Sequence, residues 1–258
     1  MVKKTRAKGP PVLTRQTQVD LIIDGAHRKS AVQIRKTFVQ QGPQDKPQPG
    51  PLARIVRRGD ERALDLYLLM RLLGVKDPYD ATLPAEAWAR ALVLEGESGL
   101  RTVSRTWTRL VRYKLVRRGR AKDMARMTPL MEDGSGDKFE RPTGHAGDVY
   151  LSLPLEYWKA PGAWYERLNL PAKAMLLISL SLAPGFPLPS KQAKPWYGIS
   201  ADTAERGFAQ LREFGLIGYT ERYKPALRSK LGYTTERRYT LNAPFKVAQR
   251  RPRRPDPA

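Results

Sequence analysis

The sequence predicts an α+β chain, mainly α, in which a helix–helix–strand–hairpin unit is used twice between basic ends. Three observations carry this prediction. The chain has 47 Lys and Arg against 25 Asp and Glu, a formal net charge of +22. Two stretches, near residues 60–122 and 170–241, repeat one order of helix, turn, helix, strand and polar hairpin. Sliding the first by 101 positions places Thr102 on Thr203, Arg105 on Arg206, Leu110 on Leu211 and Leu115 on Leu216, the mark of an internal duplication.

A chain of 258 residues has room for two small cores, since single domains usually run to about 100–150 residues. Residues 1–51 hold ten Lys or Arg against three Asp and end in Gly42-Pro43 through Pro51, so they are expected to form a basic arm and a Pro/Gly linker. Val32, Ile34 and Phe38 suggest one short helix there. The two repeated units are expected at 52–153 and 154–246. Arg250-Arg251-Pro252-Arg253-Arg254 makes 247–258 a second flexible basic tail.

In the first unit, a helix from Asp60 to Leu73 is expected to stop at Gly74. Asp77-Pro78 then turns the chain into a helix over Pro84–Ala91. Residues 100–114 form the next helix, followed by the strand Leu115-Val116 and the Arg-rich run 117–122. In the second unit, Leu170-Pro171 opens a helix through Leu182 and a short helix spans Pro189–Trp196. A third runs from Ala201 to Phe214 and ends at Gly215, whose missing Cβ permits a left-handed cap. Ile217, Tyr219 and Tyr223 alternate with polar residues along a strand whose partner is Tyr233–Leu241.

Gly198-Ile199-Ser200-x-x-Thr203, with Leu211 and Gly215-Leu216-Ile217 after it, resembles the recognition half of winged helix-turn-helix regulators. The region 62–130 resembles it less closely. Two such units in one chain resemble the tandem arrangement of plasmid replication initiators. The resemblance implies duplex DNA as partner, with helices 100–114 and 201–214 facing the major groove and the hairpins touching the backbone.

Helical periodicity turns Val103, Trp107, Leu110 and Val111 inward and places Arg101, Arg105, Thr108 and Arg112 on the opposite edge. Thr102 and Arg109 flank that edge. Guanidinium suits both phosphate oxygens and the O6/N7 edge of guanine. Arg117, Arg118, Arg120 and Lys122 are expected at the first hairpin, for phosphate or minor-groove contact. In the second unit Ser200, Thr203, Arg206 and Gln210 are the candidate readers, and Lys224, Arg228 and Lys230 the hairpin contacts. Asp202 and Glu213 share that helix, so protein contact is an open alternative. Tyr157, Trp158, Trp164 and Tyr165 are expected to fill a junction between the units.

Catalytic signatures are missing. His27 and His145 are the only histidines and no cysteine exists, which removes disulfides, thiolate metal sites and closely spaced histidine ligands. No Gly-x-x-x-x-Gly-Lys-Ser/Thr motif is present, so no phosphate cradle for ATP is expected. The apolar run from Met175 to Leu182 is far shorter than the ~20 residues that cross a bilayer. Lys3-Lys4-Thr5-Arg6 opens like a signal peptide, but Gly9-Pro10-Pro11 follows where the apolar stretch should stand. The expectation is a cytoplasmic DNA-binding protein without enzyme activity, cofactor or metal, controlling transcription or replication as a possible homodimer or with the machinery of either process. A structural nucleoid or RNA-binding protein would use the same charge without reading bases.

Overall fold

The structure is a computed structural model that describes residues 13–28, 31–43, 45–145 and 147–246. The expectations for Lys3 to Arg6 and for the tail 247–258 lie outside the described residues. Helix outweighs strand by 42% to 21%, and the strands form several small antiparallel sheets, so the chain is α+β and mainly α. The elements are α1 (Arg15–Ala26), β1 (Val32–Arg35), a 3-10 turn (Lys36–Phe38), β2 (Gln40–Gln41), β3 (Gln48–Pro49), α2 (Leu52–Arg57) and α3 (Glu61–Leu73). They continue with β4 (Ala81–Thr82), α4 (Ala85–Ala91), α5 (Gly96–Arg112), β5 (Val116–Ala121), β6 (Met124–Pro129), β7 (Tyr150–Leu153) and the short α6 (Trp164–Arg167). The last are α7 (Leu170–Leu180), β8 (Phe186–Pro187), α8 (Ser190–Tyr197), α9 (Ala201–Glu213), β9 (Ile217–Pro225) and β10 (Tyr233–Leu241).

One order of elements occurs twice: α3-β4-α4-α5-β5-β6, then α7-β8-α8-α9-β9-β10. The two three-stranded sheets have the same neighbours, β4-β6-β5 and β8-β10-β9. The helix ends repeat as well. Lys114 N–H bonds to the Val111 carbonyl and Leu115 N–H to that of Leu110, while Gly215 bonds to Arg212 and Leu216 to Leu211. This doubled bonding from a left-handed residue satisfies carbonyls that a helix end leaves open. Gly215 adopts its φ of 67° without a Cβ penalty, whereas Lys114 holds φ 57° with a side chain. In both units the leucine after this residue enters the core, which locks the helix-to-strand corner.

Helix starts follow from short polar caps. Asp60, Asn169 and Ser200 accept from the backbone of Ala63, Ala172 and Thr203, each satisfying one orphan donor. Between α7 and α9, Gly207 lets the helices meet closely, since a Cβ there would come within 2.5 Å of the Pro171 carbonyl oxygen.

The expected free arm at 1–51 is corrected over its described part. Val19, Ile22 and Ile23 of α1 are buried, as are Val32, Ile34 and Phe38. Residues 32–38 form a strand and a 3-10 turn, not a helix. β1 pairs antiparallel with β7, Val32 opposite Leu153, and the supposed linker contains the β2–β3 pair. The cations of this segment serve the fold. Arg28 donates to the carbonyls of Arg71, Leu72 and Gly74 at the end of α3; burial, with Arg71 and Arg141 nearby, brings its pKa down to about 10. Arg35 meets Glu132 at 3.0 Å and Asp148 at 2.6 Å, and Arg71 meets the other oxygen of the fully buried Glu132.

The boundary expected between 153 and 154 falls inside one continuous core. Leu151 and Leu153 share it with Leu155 and Tyr157 and with α3 and α7. Tyr157, Trp158 and Tyr165 are buried at this junction. A charge cluster crosses it: the Lys173 ammonium of α7, 1% exposed, lies 2.7 Å from both Glu61 and Asp65 of α3, and Arg15 of α1 reaches Asp65 at 3.4 Å. Burial raises the Asp65 pKa, and Lys173 and then Arg15 pull it back.

Breaking a buried pair from one side leaves an uncompensated charge. Lys173→Met should therefore cost about 3–5 kcal/mol in urea unfolding at neutral pH. Without the ammonium, Asp65 keeps a raised folded-state pKa. That favours the folded variant below the ordinary carboxylate range and penalises it as pH rises, so the deficit should shrink in acid. A deficit constant with pH would contradict this assignment.

Candidate nucleic-acid interface

Helix α5 buries Val103, Thr106, Trp107 and Leu110, with Trp107 edge-on to Trp88 of α4 at 5.3 Å. This fixes the helix's rotation and leaves Arg101, Arg105, Thr108 and Arg112 exposed on the other side. Val111, expected inward, is 37% exposed at the margin of the stripe. Arg101 lies 3.9 Å from Glu97, both largely in solvent, a pairing that usually contributes only a few tenths of a kcal/mol. Arg105 and Arg112 make no ion pair among the described residues. The hydroxyls of Thr102 and Thr108 bond to the carbonyls of Ser98 and Ser104, one turn back.

Arg109 is corrected. Its guanidinium forks onto both oxygens of Asp60, the cap of α3, and onto the Thr106 hydroxyl, so it joins α5 to α3 and is not part of the outer edge. Beside the helix, β5 carries Arg117, Arg118 and Arg120, all exposed. The strand alternates, so Arg118 and Arg120 share one face of the hairpin and Arg117 takes the other. Arg118 extends to the Ser104 hydroxyl of α5 at 3.4 Å. Lys122 is at the two-residue tip with φ 51°. The three arginines are thus spread along the strand and only Lys122 is at its tip. The face that Arg118 and Arg120 share is linked to α5 by the contact of Arg118 with Ser104.

The second unit places its candidates differently. Ala204, Phe208 and Leu211 of α9 face the core, and Phe208 stacks on Tyr239 of β10 at 4.4 Å. Arg206 pairs with Asp202 at 3.1 Å. Ser200 and Thr203 are bonded to each other at the helix start. Gln210 accepts from the Asn169 N–H at 2.9 Å and donates to the Arg167 carbonyl, so both ends of its amide are engaged by the segment entering α7. The reading role expected for Gln210 is withdrawn on that account. Lys224 pairs with Glu236 on the neighbouring strand; this bond, joined by Arg238, holds the Glu236 carboxyl below its ordinary pKa. Arg228 and Lys230 remain exposed on the hairpin loop.

Comparison of the chain with protein-family models, curated proteins and solved structures returns no match. The geometry stands alone. Among the described residues no group of three or more His, Cys, Asp or Glu is placed to hold a metal, and no helix is long and apolar enough to cross a membrane.

Two features were not anticipated. Arg54, Arg57 and Arg58, at the end of α2, line a cleft of about 520 Å³ with Arg109, Arg112 and Tyr113; the spacing Arg-x-x-Arg-Arg was visible, but the short helix that gathers it was hidden behind Pro51. The β9–β10 hairpin exposes Tyr223, Leu227, Leu231 and Tyr233, an apolar tip set among its basic residues.

Arg109→Ala removes a charge-assisted fork and should lower stability by about 1.5–3 kcal/mol. Urea unfolding that finds the variant as stable as the parent chain would return Arg109 to the outer edge.

Proposed function

We propose that this chain binds double-stranded DNA sequence-specifically through tandem winged helix-turn-helix units, with α5 as the main reading helix and β5–β6 as its wing. The supporting observation is the outer edge of α5: Arg101, Arg105 and Arg112 face solvent on a helix whose opposite side is locked into the core, and at most one of them has a carboxylate within reach. Like charges one turn apart oppose helix formation. A row of fixed negative charge outside the protein resolves that opposition, and duplex DNA supplies it. The element order α-β-α-α-β-β and the matched sheets support the winged-helix reading of both units. The process served is control of transcription or replication.

A plasmid or mobile-element replication initiator is the second reading. What favours it is the contrast between units. On α9 the charges neutralise one another, and the adjoining hairpin offers tyrosines and leucines, a surface suited to a protein partner, whether a second copy or replication machinery.

Selection from a random duplex pool should enrich one sequence, as a palindrome for a dimeric regulator or as direct repeats for an initiator. Arg105→Ala should weaken binding to that sequence by about 1–3 kcal/mol and relax preference at one position. Equal affinity for all duplexes with a steep salt dependence would replace this reading with a nucleoid-type binder.

A further inference from the structure

The cleft between the C-terminal ends of α2 and α5 concentrates more positive charge than the fold requires. Arg54, Arg57, Arg58, Arg109 and Arg112 line it. Its one evident carboxylate partner is Asp60, which Arg109 occupies. Arg57 reaches only the Ala53 carbonyl of its own helix at 3.3 Å, and Arg54, Arg58 and Arg112 make no ion pair among the described residues.

Both helices end here, and cations at helix ends are ordinary. Each terminus, however, presents roughly half a negative charge, so two ends call for about one cation in all. With Arg109 held by Asp60, the four remaining guanidiniums exceed that several-fold. Tyr113, 7% exposed, lines the same wall.

We propose that this cleft is a phosphate-binding site, and that it grips the sugar–phosphate backbone of the same duplex whose groove α5 enters. The inference rests on the DNA-binding reading. Arg112 belongs both to the outer edge of α5 and to the cleft, so a strand leaving the reading edge runs directly onto Arg54, Arg57 and Arg58. The lining favours a phosphodiester backbone over a free nucleotide, because its single aromatic ring is buried and offers no face on which a base could stack. The cleft thus adds register and affinity, and it adds no sequence information.

The test compares the full chain with a R54Q/R57Q/R58Q variant on random duplex across a potassium chloride series. Each phosphate neutralised contributes about 0.9 to the slope of log K against log salt, so the variant's slope should be shallower by about 2–3 while its ratio of selected to random affinity is kept. Its melting temperature should hold or rise, since like charges are relieved. An unchanged slope overturns the proposal. So does a fallen melting temperature, which would assign the arginines to the fold. If the wild-type chain binds no duplex at all, the DNA reading fails separately, and inorganic tripolyphosphate titrated by calorimetry judges the cleft. Binding that the triple variant loses keeps the site with a free polyanion as its ligand, and no binding overturns it.

Discussion

The position of every other element depends on how α3 tolerates charge in its own core. Ala63 through Leu72 are buried on nearly all sides of that helix, including Asp65 and Arg71. Neither charge could remain there unpaired at a cost of less than several kcal/mol. Asp65 is answered by Lys173 from the second unit and Arg15 from α1. Arg71 is answered by Glu132, from the stretch after β6. Each pairing brings in a segment distant in sequence, so satisfying α3 places the amino-terminal helix, the second unit and the connecting chain at once. Buried ion pairs add little net stability over an apolar core; what they supply here is a single permitted arrangement, because a slipped packing strands a charge.

On that frame, the two units with one order of elements share shape but differ in charge. Leu110 and Leu211, and Leu115 and Leu216, hold equivalent buried positions, and the same doubled carbonyl capping ends α5 and α9. The outer faces have separated. Along α5 the guanidiniums face solvent with one distant glutamate. Along α9 Asp202 neutralises Arg206, and across the hairpin Glu236 neutralises Lys224. A single fold can therefore carry unpaired arginines on the outer face of one unit and paired charges on that of the other, because the residues that set the fold and those that set the field occupy opposite sides of each helix.

Much of this was legible from residue pattern. The second hairpin's return strand, Tyr233–Leu241, has the bounds expected of it, and the stop at Gly215 follows from glycine's freedom at positive φ. The outer edge of α5 also follows from period alone. What escaped was whatever depended on partners far along the chain. Periodicity states that Arg109 and Gln210 flank an exposed face; it cannot state that Asp60 and the Asn169 backbone lie within reach. Residues 15–49 look like an arm because their apolar positions are sparse among Lys, Arg and Pro. β1 becomes a strand only when β7 lies beside it, and no window of sequence around Val32 contains that neighbour.

The pairing of β1 with β7 also sets an order of events at the ribosome. Val32–Arg35 emerges early, yet the strand that completes it, Tyr150–Leu153, is made long afterwards, and the ammonium that answers Asp65 later still. Loop closure over such separations is slow compared with local helix formation. During synthesis α1 can already settle on α3 and α4, while Val32 and Ile34 of β1 wait for their partner strand. The open edge of β1 thus persists through the making of the whole first unit and closes only when Tyr150–Leu153 emerges.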